Sequence, residues 1–225
     1  MTELILVAAS GLAREVLASV HAGESYSVRG FLDDDPALVG ATVDGLRVLG
    51  RIDDAGAFPK AKFVVCAGKG VARQAIVGRL GDLGVGAERY ARVIDRTAVV
   101  SDNSTVGPGS ILLANVVLTA GVEIGAHVVA MPHVTFTHDN QVADFATVTA
   151  GVSLGGGVRV GRGAYLGMNA SVRERCTIGA WATIGMGAAV VQDVPDCETW
   201  VGVPARLMMP PGPARQVPID RKEVV

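Results

Sequence analysis

Residues 148–172 read VTAGVSLGGGVRVGRGAYLGMNASV. Val148, Leu154, Val160, Leu166 and Val172 fall at every sixth place in this stretch, and glycine follows the branched residue at 155, 161 and 167. The register extends outward in both directions. It runs back through Val142, Phe136, Ala130, Ile124, Leu118, Leu112, Val106 and Val100 to Ile94, and forward through Ile178 and Ile184 to Val190. No member of the series is charged or polar. Four residues after each member stands a mostly small side chain, as at Ala98, Ser104, Ser110, Ala146, Ala164, Ala170, Cys176 and Ala188.

One large and one small inward position in a six-residue period define an interior of small cross-section. An α-helix needs a period near 3.6 and tolerates little glycine, and ordinary antiparallel strands alternate by two. A solenoid with three short strands per turn accounts for the period, because three units make one rung and like residues stack on like. Ile94 to Pro195 therefore reads as a parallel β-helix. Glycine after the large residue, also at 107, 125, 179 and 185, is expected where the chain bends sharply. A charge at Leu154 or Leu166 is expected to open a rung.

The first 90 residues follow a different pattern. LILVAA from Leu4 is a short apolar strand, and Leu12, Ala13, Val16, Leu17 and Val20 then recur at helical spacing. YSVRGFL, residues 26–32, is a second strand running into Asp33, Asp34 and Asp35. FVVCAG from Phe63 is a third, opening at Gly68 onto a helix from about Val71 to Leu83 with Ala72, Ile76, Leu80 and Leu83 on one side. Alternating strand and helix predict a small parallel sheet with binding loops at the carboxyl ends of its strands, at Ala8–Gly11, Asp33–Asp35 and Gly68–Gly70. The expected organisation is an α/β domain over 1–90, a β-helix domain with a C-terminal loop over 91–209, and a proline-rich, charged tail over 210–225.

Composition narrows the function classes. With 49% apolar residues, 4% aromatic residues and 29 glycines, the 225-residue chain is globular and rich in tight turns. Its 20 basic and 22 acidic residues nearly cancel, so no global field gathers nucleic acid or an anionic membrane. The scattered arginines read mostly as solvated faces. No apolar run reaches the roughly 18 residues of a membrane span, and MTELILVAAS enters a strand directly without a basic region, so a cytoplasmic location is expected. Cys66, Cys176 and Cys197 lack paired metal-ligand spacing, and Cys176 falls on an inward position.

Loop Ala8-Ala9-Ser10-Gly11 holds one glycine where a dinucleotide fingerprint needs three, which argues against a redox nucleotide. A short turn feeding a helix amino terminus can still bind a phosphate or ribose. Arg14 and Glu15 read equally as ordinary first-turn residues.

LVAASGLAREVL, GFLDDDPALVG, DGLRVLG, the hexapeptide region and the closing WVGVPAR together span nearly the whole chain. In this combination the sequence resembles the bacterial sugar acetyltransferases typified by sialic acid O-acetyltransferase and by the N-acetyltransferases acting on nucleotide-linked 4-amino sugars, such as those leading to bacillosamine and perosamine. The resemblance implies a left-handed β-helix, a homotrimer, acetyl-CoA in the groove between neighbouring coils, and a sugar nucleotide between the small domain and the helix. Handedness comes from the resemblance alone. Two departures stand out. The family's Gly-Gly-His flavour is replaced by Ala9-Ser10-Gly11-Leu12, and a second histidine nine residues after the catalytic one is replaced by Thr147.

Of the four histidines, His21 ends a surface helix, while His127 and His133 occupy the fourth, turn-facing place of their hexads and are expected to point away from the coil interior. His138 and Asp139 sit in the hexad Phe136-Thr-His-Asp-Asn140-Gln, where Phe136 and Asn140 depart from the usual interior. Only His138 has an acidic neighbour able to orient its ring. THDNQVADF resembles the family's histidine-carboxylate segment, which makes His138 the candidate general base and Asp139 its orienting partner. Imidazole as a class accepts protons near neutrality, and a carboxylate fixes its tautomer.

By the resemblance, Gly156 matches the family's glycine at the thioester and is the candidate oxyanion donor. The cofactor contacts it implies are Thr147, Gly155, Gly156, Gly161, Gly167, Gly185, Ala205 and Arg206. Arg206 in addition places a cation where a phosphorylated cofactor has use for one. Each glycine also has a simpler reading as a turn former. Candidate substrate contacts are Ser10, Gly11, Asp33, Asp34, Gly68 and Lys69, with Asp34 and Asp35 reading alternatively as caps of a turn before Pro36.

No resident metal is expected. The expected activity is acetyl-CoA-dependent N-acetylation of a nucleotide-linked 4-amino-deoxysugar by direct transfer, since no cysteine or serine stands in a convincing triad. O-acetylation of a sialic-acid-type sugar uses the same base and stays open. So do a noncatalytic nucleotide-sugar-binding or structural hexapeptide protein, and a metal-dependent one drawing on His127, His133 and His138 across subunits.

Overall fold

The computed structural model describes residues 1–23 and 25–208. The tail expected from residue 210 lies outside the described residues.

The chain begins with β1 (Thr2–Val7) and α1 (Gly11–His21), followed by β2 (Tyr26–Leu32), β3 (Thr42–Val43), β4 (Leu46–Gly50), β5 (Lys62–Val65) and α2 (Gly70–Asp82). Strand order in the sheet is β3-β4-β2-β1-β5, parallel except for the β3–β4 hairpin. Both faces of β1 are buried, which explains its unbroken apolar run. Leu4 and Leu6 pack with α1 through Leu12, Ala13, Val16 and Leu17, and Ile5 and Val7 pack with Phe63, Val65 and Leu80 on the other side. The hairpin was missed in the sequence although Asp44-Gly45 is its turn signal; both residues have positive φ, 45° and 82°, as a tight two-residue connection requires.

From Val93 onward the chain forms a left-handed parallel β-helix. Each coil contributes a two-residue strand to three sheets, and partners lie 18 residues apart, as in Val117↔Thr135, Gln141↔Arg159 and Thr147↔Tyr165. The first face carries Val99–Val100 through Ala189–Val190, the second Thr105–Val106 through Thr177–Ile178, and the third Val93–Ile94 through Thr199–Val201. In each strand the second residue points inward: Leu154, Val160, Leu166, Val172 and Ile184 are all buried. The last strand among the described residues, Arg206–Leu207, pairs antiparallel with Trp200–Val201.

Ile94 is an exception, 42% exposed on the first coil, where it has only one neighbouring coil to pack against. Val100 and Val106 are only partly buried.

The bend of each corner is not where the sequence reading placed it. Gly155, Gly161 and Gly167 are glycines because a β-carbon there would overlap the backbone of the next coil at Glu174, Ala180 and Met186. The left-handed turn itself falls two places later, and is taken by ordinary residues as well as glycine. His133, Asp139, Phe145, Arg175 and Trp181 have φ of 62°, 60°, 61°, 62° and 59°. Each costs on the order of 1–2 kcal/mol in isolation, which the stacked ladder offsets.

The α/β domain docks on the third face and on the corner that precedes it. Ile111, Leu113 and Val129 join the core of the α1 side. At the corner Arg73 of α2 is completely buried. The sequence reading put Ala72 and Leu83 on the packing side, yet both are exposed and Arg73 faces inward instead. Its Nε donates to the His127 carbonyl at 3.0 Å, and its two terminal nitrogens to the carbonyls of Ala67, Gly68, Phe145 and Ala146 and to Thr147 Oγ1, all between 2.8 and 2.9 Å. A planar five-donor fork is the side chain able to serve such a ring of acceptors. Burial draws its pKa down to about 10, still cationic at neutral pH.

Candidate active site

The corner between the first and second faces carries Thr137–Asn140 on one coil and Gly155–Val158 on the next. His138 Nδ1 lies 2.8 Å from Asp139 Oδ2. A carboxylate can only accept, so Nδ1 is the donor, and in the neutral ring Nε2 is then the nitrogen that carries the free lone pair. Gly156 lies directly against that nitrogen, since a β-carbon on it would overlap Nε2 and Cε1. The Gly157 N–H donates to the His138 carbonyl at 2.8 Å and pins the two coils together. Both side chains of the pair are largely exposed, 67% and 75%. The candidate catalytic pair and the oxyanion candidate are thus brought together by an 18-residue stacking repeat.

The other cofactor candidates do not gather there. Gly155 shares the corner, but Gly161 lies on the second-to-third corner and Gly167 and Gly185 on the third-to-first. One ligand on one chain cannot follow all three edges of the triangle. Thr147 requires correction: it is buried, its hydroxyl accepts from Arg73 and donates to the Gly68 carbonyl at 3.0 Å, and no surface remains for a cofactor. Ala205 is buried with its N–H on Ala189, whereas Arg206 is exposed, with one guanidinium nitrogen on the Ala205 carbonyl.

The substrate candidates meet at the carboxyl ends of β1, β2 and β5. Ser10 caps α1 by accepting from the Ala13 N–H and donates to the Cys66 carbonyl. Asp33 accepts from the N–H groups of Ala9 and Asp35, and so ties the first two loops together. Asp34 forms a two-point ion pair with Arg79, which also engages Asp53; that hydrogen bonding holds the Asp34 carboxyl below the usual range. Both carboxylates are therefore occupied by the fold itself. Gly11 faces open space and Lys69 is exposed.

Beside Lys69 lies a cleft of about 480 Å³ between the start of α2 and the β-helix, lined by Gly70, Val71, Gly163, Tyr165 and Trp181. Tyr165 and Trp181 were not singled out in the sequence, because aromatics in a hexapeptide run look like any other outward residue. This cleft and His138 belong to different corners. Within one chain the candidate substrate loops and His138 do not meet.

His127 points away from the coil interior as expected, yet it is not solvent-exposed. It is buried, stacked on Phe145 with ring centroids 5.1 Å apart and edge-on to Tyr90 at 4.6 Å. The fourth place of its hexad does point out of the coil, but into the docked domain. Burial lowers its pKa to about 4. Among the described residues no three His, Cys, Asp or Glu side chains converge as a metal site, and no helix is long and apolar enough to cross a membrane.

The family model for the PglD N-terminal domain matches residues 3–80. The acetyltransferase domain of PglB from Neisseria gonorrhoeae superposes with a TM-score of 0.84 at 28% identity, covering 92% of this chain and 100% of that one. PerB from Caulobacter crescentus, solved in complex with CoA and GDP-perosamine, gives 0.85 at 29% identity over 93% and 98%. WeeI from Acinetobacter baumannii gives 0.69 at 27% identity over 92% and 100%. A search of curated protein sequences finds no match.

Proposed function

We propose that this chain, a member of the hexapeptide-repeat acyltransferase family similar to PerB and the PglB acetyltransferase domain, transfers an acetyl group from acetyl-CoA to the amine of a nucleotide-linked 4-amino-deoxysugar. The observation that carries the reading is His138, whose Nδ1 is held by Asp139 while Nε2 faces Gly156.

Nε2 takes a proton from the sugar amine as the nitrogen lone pair adds to the thioester carbonyl carbon. The carbonyl π pair moves to oxygen, where the Gly156 N–H donates to it. Return of that pair breaks the C–S bond, and the proton on Nε2 passes to the CoA thiolate. Asp139 stabilises the imidazolium between these steps.

Homotrimer formation fits the exposure of the pair and its separation from the nucleotide loops. A neighbouring copy supplies the wall that one chain lacks, and brings its Ser10–Gly11 and Gly68–Lys69 loops toward His138. The test is a mass-spectrometric screen of acetyl transfer to UDP-, dTDP- and GDP-linked 4-amino sugars alongside free sialic acid. Acetylated amino-sugar nucleotide, reduced by a factor of roughly 10² to 10⁴ in His138→Asn, supports the reading. Acetylated sialic acid alone moves the activity to O-acetylation, and a His138→Asn rate within threefold of the parent removes the base.

A further inference from the structure

Asn140 is a fully buried polar side chain inside the β-helix, between Val122 above and Val158 below in the same corner column. Its Nδ2 donates to the Gly155 carbonyl at 2.8 Å, and its Oδ1 has no partner. An unsatisfied buried acceptor is destabilising, and the valines show that the column accepts an apolar residue.

At many corners of this helix, though not at those of Val122, Val134 and Asn140, the turn closes on itself. The fifth-place N–H donates to the second-place carbonyl, as in Ala164 to Gly161, Ala170 to Gly167 and Ala188 to Gly185. Among the described residues no such bond joins Val158 to Gly155, whose carbonyl takes the Asn140 amide instead. The carbonyl of Gly155 and the N–H of Gly156 belong to one planar trans peptide and point in opposite directions. Holding the carbonyl inward turns the N–H outward, to the surface that His138 occupies.

Ser110 provides an internal precedent. It stands at the same place of its hexad, donates to the Gly125 carbonyl at 2.8 Å, and the N–H of the next residue, Ala126, points outward to Asp144 Oδ1 at 2.8 Å. The Ala180 N–H also points outward, to Asp196 Oδ1 at 2.7 Å, at a corner closed by the ordinary Ala182-to-Gly179 bond, so a buried donor fixes a peptide orientation that the turn itself already favours. The residue in the matching place below Gly156 is Glu174, exposed, and no bond joins it to the Gly156 N–H among the described residues.

We infer that Asn140 is a positioning residue: from inside the coil it orients the Gly155–Gly156 peptide so that the Gly156 N–H is aimed at the thioester oxygen and left without an acceptor of the protein's own. The inference rests on the acetyltransferase reading above. It is tested on the full-length protein with acetyl-CoA and the panel of UDP-, dTDP- and GDP-linked 4-amino sugars, comparing the parent with Asn140→Val, Asn140→Ala and Asn140→Ser. Valine removes the amide but completes the apolar column. The expected result is a kcat lower by about ten- to a hundredfold, with KM for acetyl-CoA within threefold and an unchanged or raised Tm. Alanine, tolerated at the equivalent Ala146 and Ala182, gives the same comparison if valine does not fold. Serine, able to reach the carbonyl as Ser110 does, is expected to restore kcat to within threefold of the parent. A folded valine or alanine variant with parental kcat overturns the inference while leaving the acetyltransferase intact, as does a serine variant as slow as valine. A parent that acetylates no member of the panel overturns both.

Discussion

Gly156 lies against His138 so closely that its missing β-carbon is the space in which the imidazole Nε2 stands. Its φ is not in the left-handed region, so alanine can take the backbone conformation without strain. Gly156→Ala is therefore expected to spare the fold and displace the ring. Because His138 is exposed and free to move aside, thermal unfolding should shift little, while kcat for acetyl transfer falls by roughly 10²-fold or more. Parental kcat in a folded Gly156→Ala enzyme would remove the glycine from the site.

Arg73 places a charge at the seam between the two structural units with carbonyls and one hydroxyl for partners. Lysine keeps the charge and lacks the planar fork, so it cannot reach all of these acceptors at once. Arg73→Lys is expected to lower unfolding stability by about 2–4 kcal/mol in urea titration, through buried carbonyls left without donors. Hydrogen exchange should rise first in the N–H groups of Gly68–Gly70 and the start of α2.

His127 makes stability depend on pH. Its folded pKa of about 4 lies below the ordinary imidazole value of 6.5, because burial disfavours the charged ring. As pH falls through that interval the unfolded chain takes a proton that the folded one refuses, so stability is full above about 6.5 and is lost progressively toward 4. The slope attributable to this residue is at most about 1.4 kcal/mol per pH unit. In His127→Phe, which keeps a ring between Tyr90 and Phe145, urea midpoints measured from pH 7 to 4.5 should decline less steeply than in the parent.

Ala8 adopts φ 72° between β1 and α1, a left-handed conformation that a β-carbon makes costly. Relief of about 1–2 kcal/mol opposes the roughly 0.5–1 kcal/mol that glycine loses in chain entropy. Ala8→Gly is expected to leave Tm unchanged or raise it by a few degrees, as differential scanning calorimetry would record. A clear fall in Tm would show that the loop is not strained there.

Where one interaction dominates, the fold was legible. Leu154 and Leu166 announced the coil because burial inside a narrow triangular tube admits little but a branched apolar residue. The pairing of the His138 ring with the Asp139 carboxylate was legible because the two are adjacent in sequence on one outward-facing corner. What escaped the sequence depends on contacts between distant segments. Periodicity put Ala72 on the packing face of α2, yet Arg73 took it, since the corner it meets offers a ring of carbonyls that only the folded coil assembles. The ion pair of Asp34 with Arg79 was not legible, because nothing local shows that the guanidinium will reach that carboxylate. Thr147 and His127 look outward in their hexads, and only the docked α/β domain turns those outward places into an interior.

The antiparallel pairing of Arg206–Leu207 with Trp200–Val201 closes the parallel ladder of the third face among the described residues. A ladder of identical parallel steps carries no intrinsic stop, and its terminal step offers open hydrogen-bonding groups to any strand that arrives. Reversing the last strand presents the wrong polarity for another step, so the ladder terminates itself. At the opposite end, where the same hazard exists, Val93 is covered by the α/β core. The two ends act as stoppers of different design, and a chain shortened before Arg206 would expose Thr199–Val201 as a template for end-to-end growth into fibres.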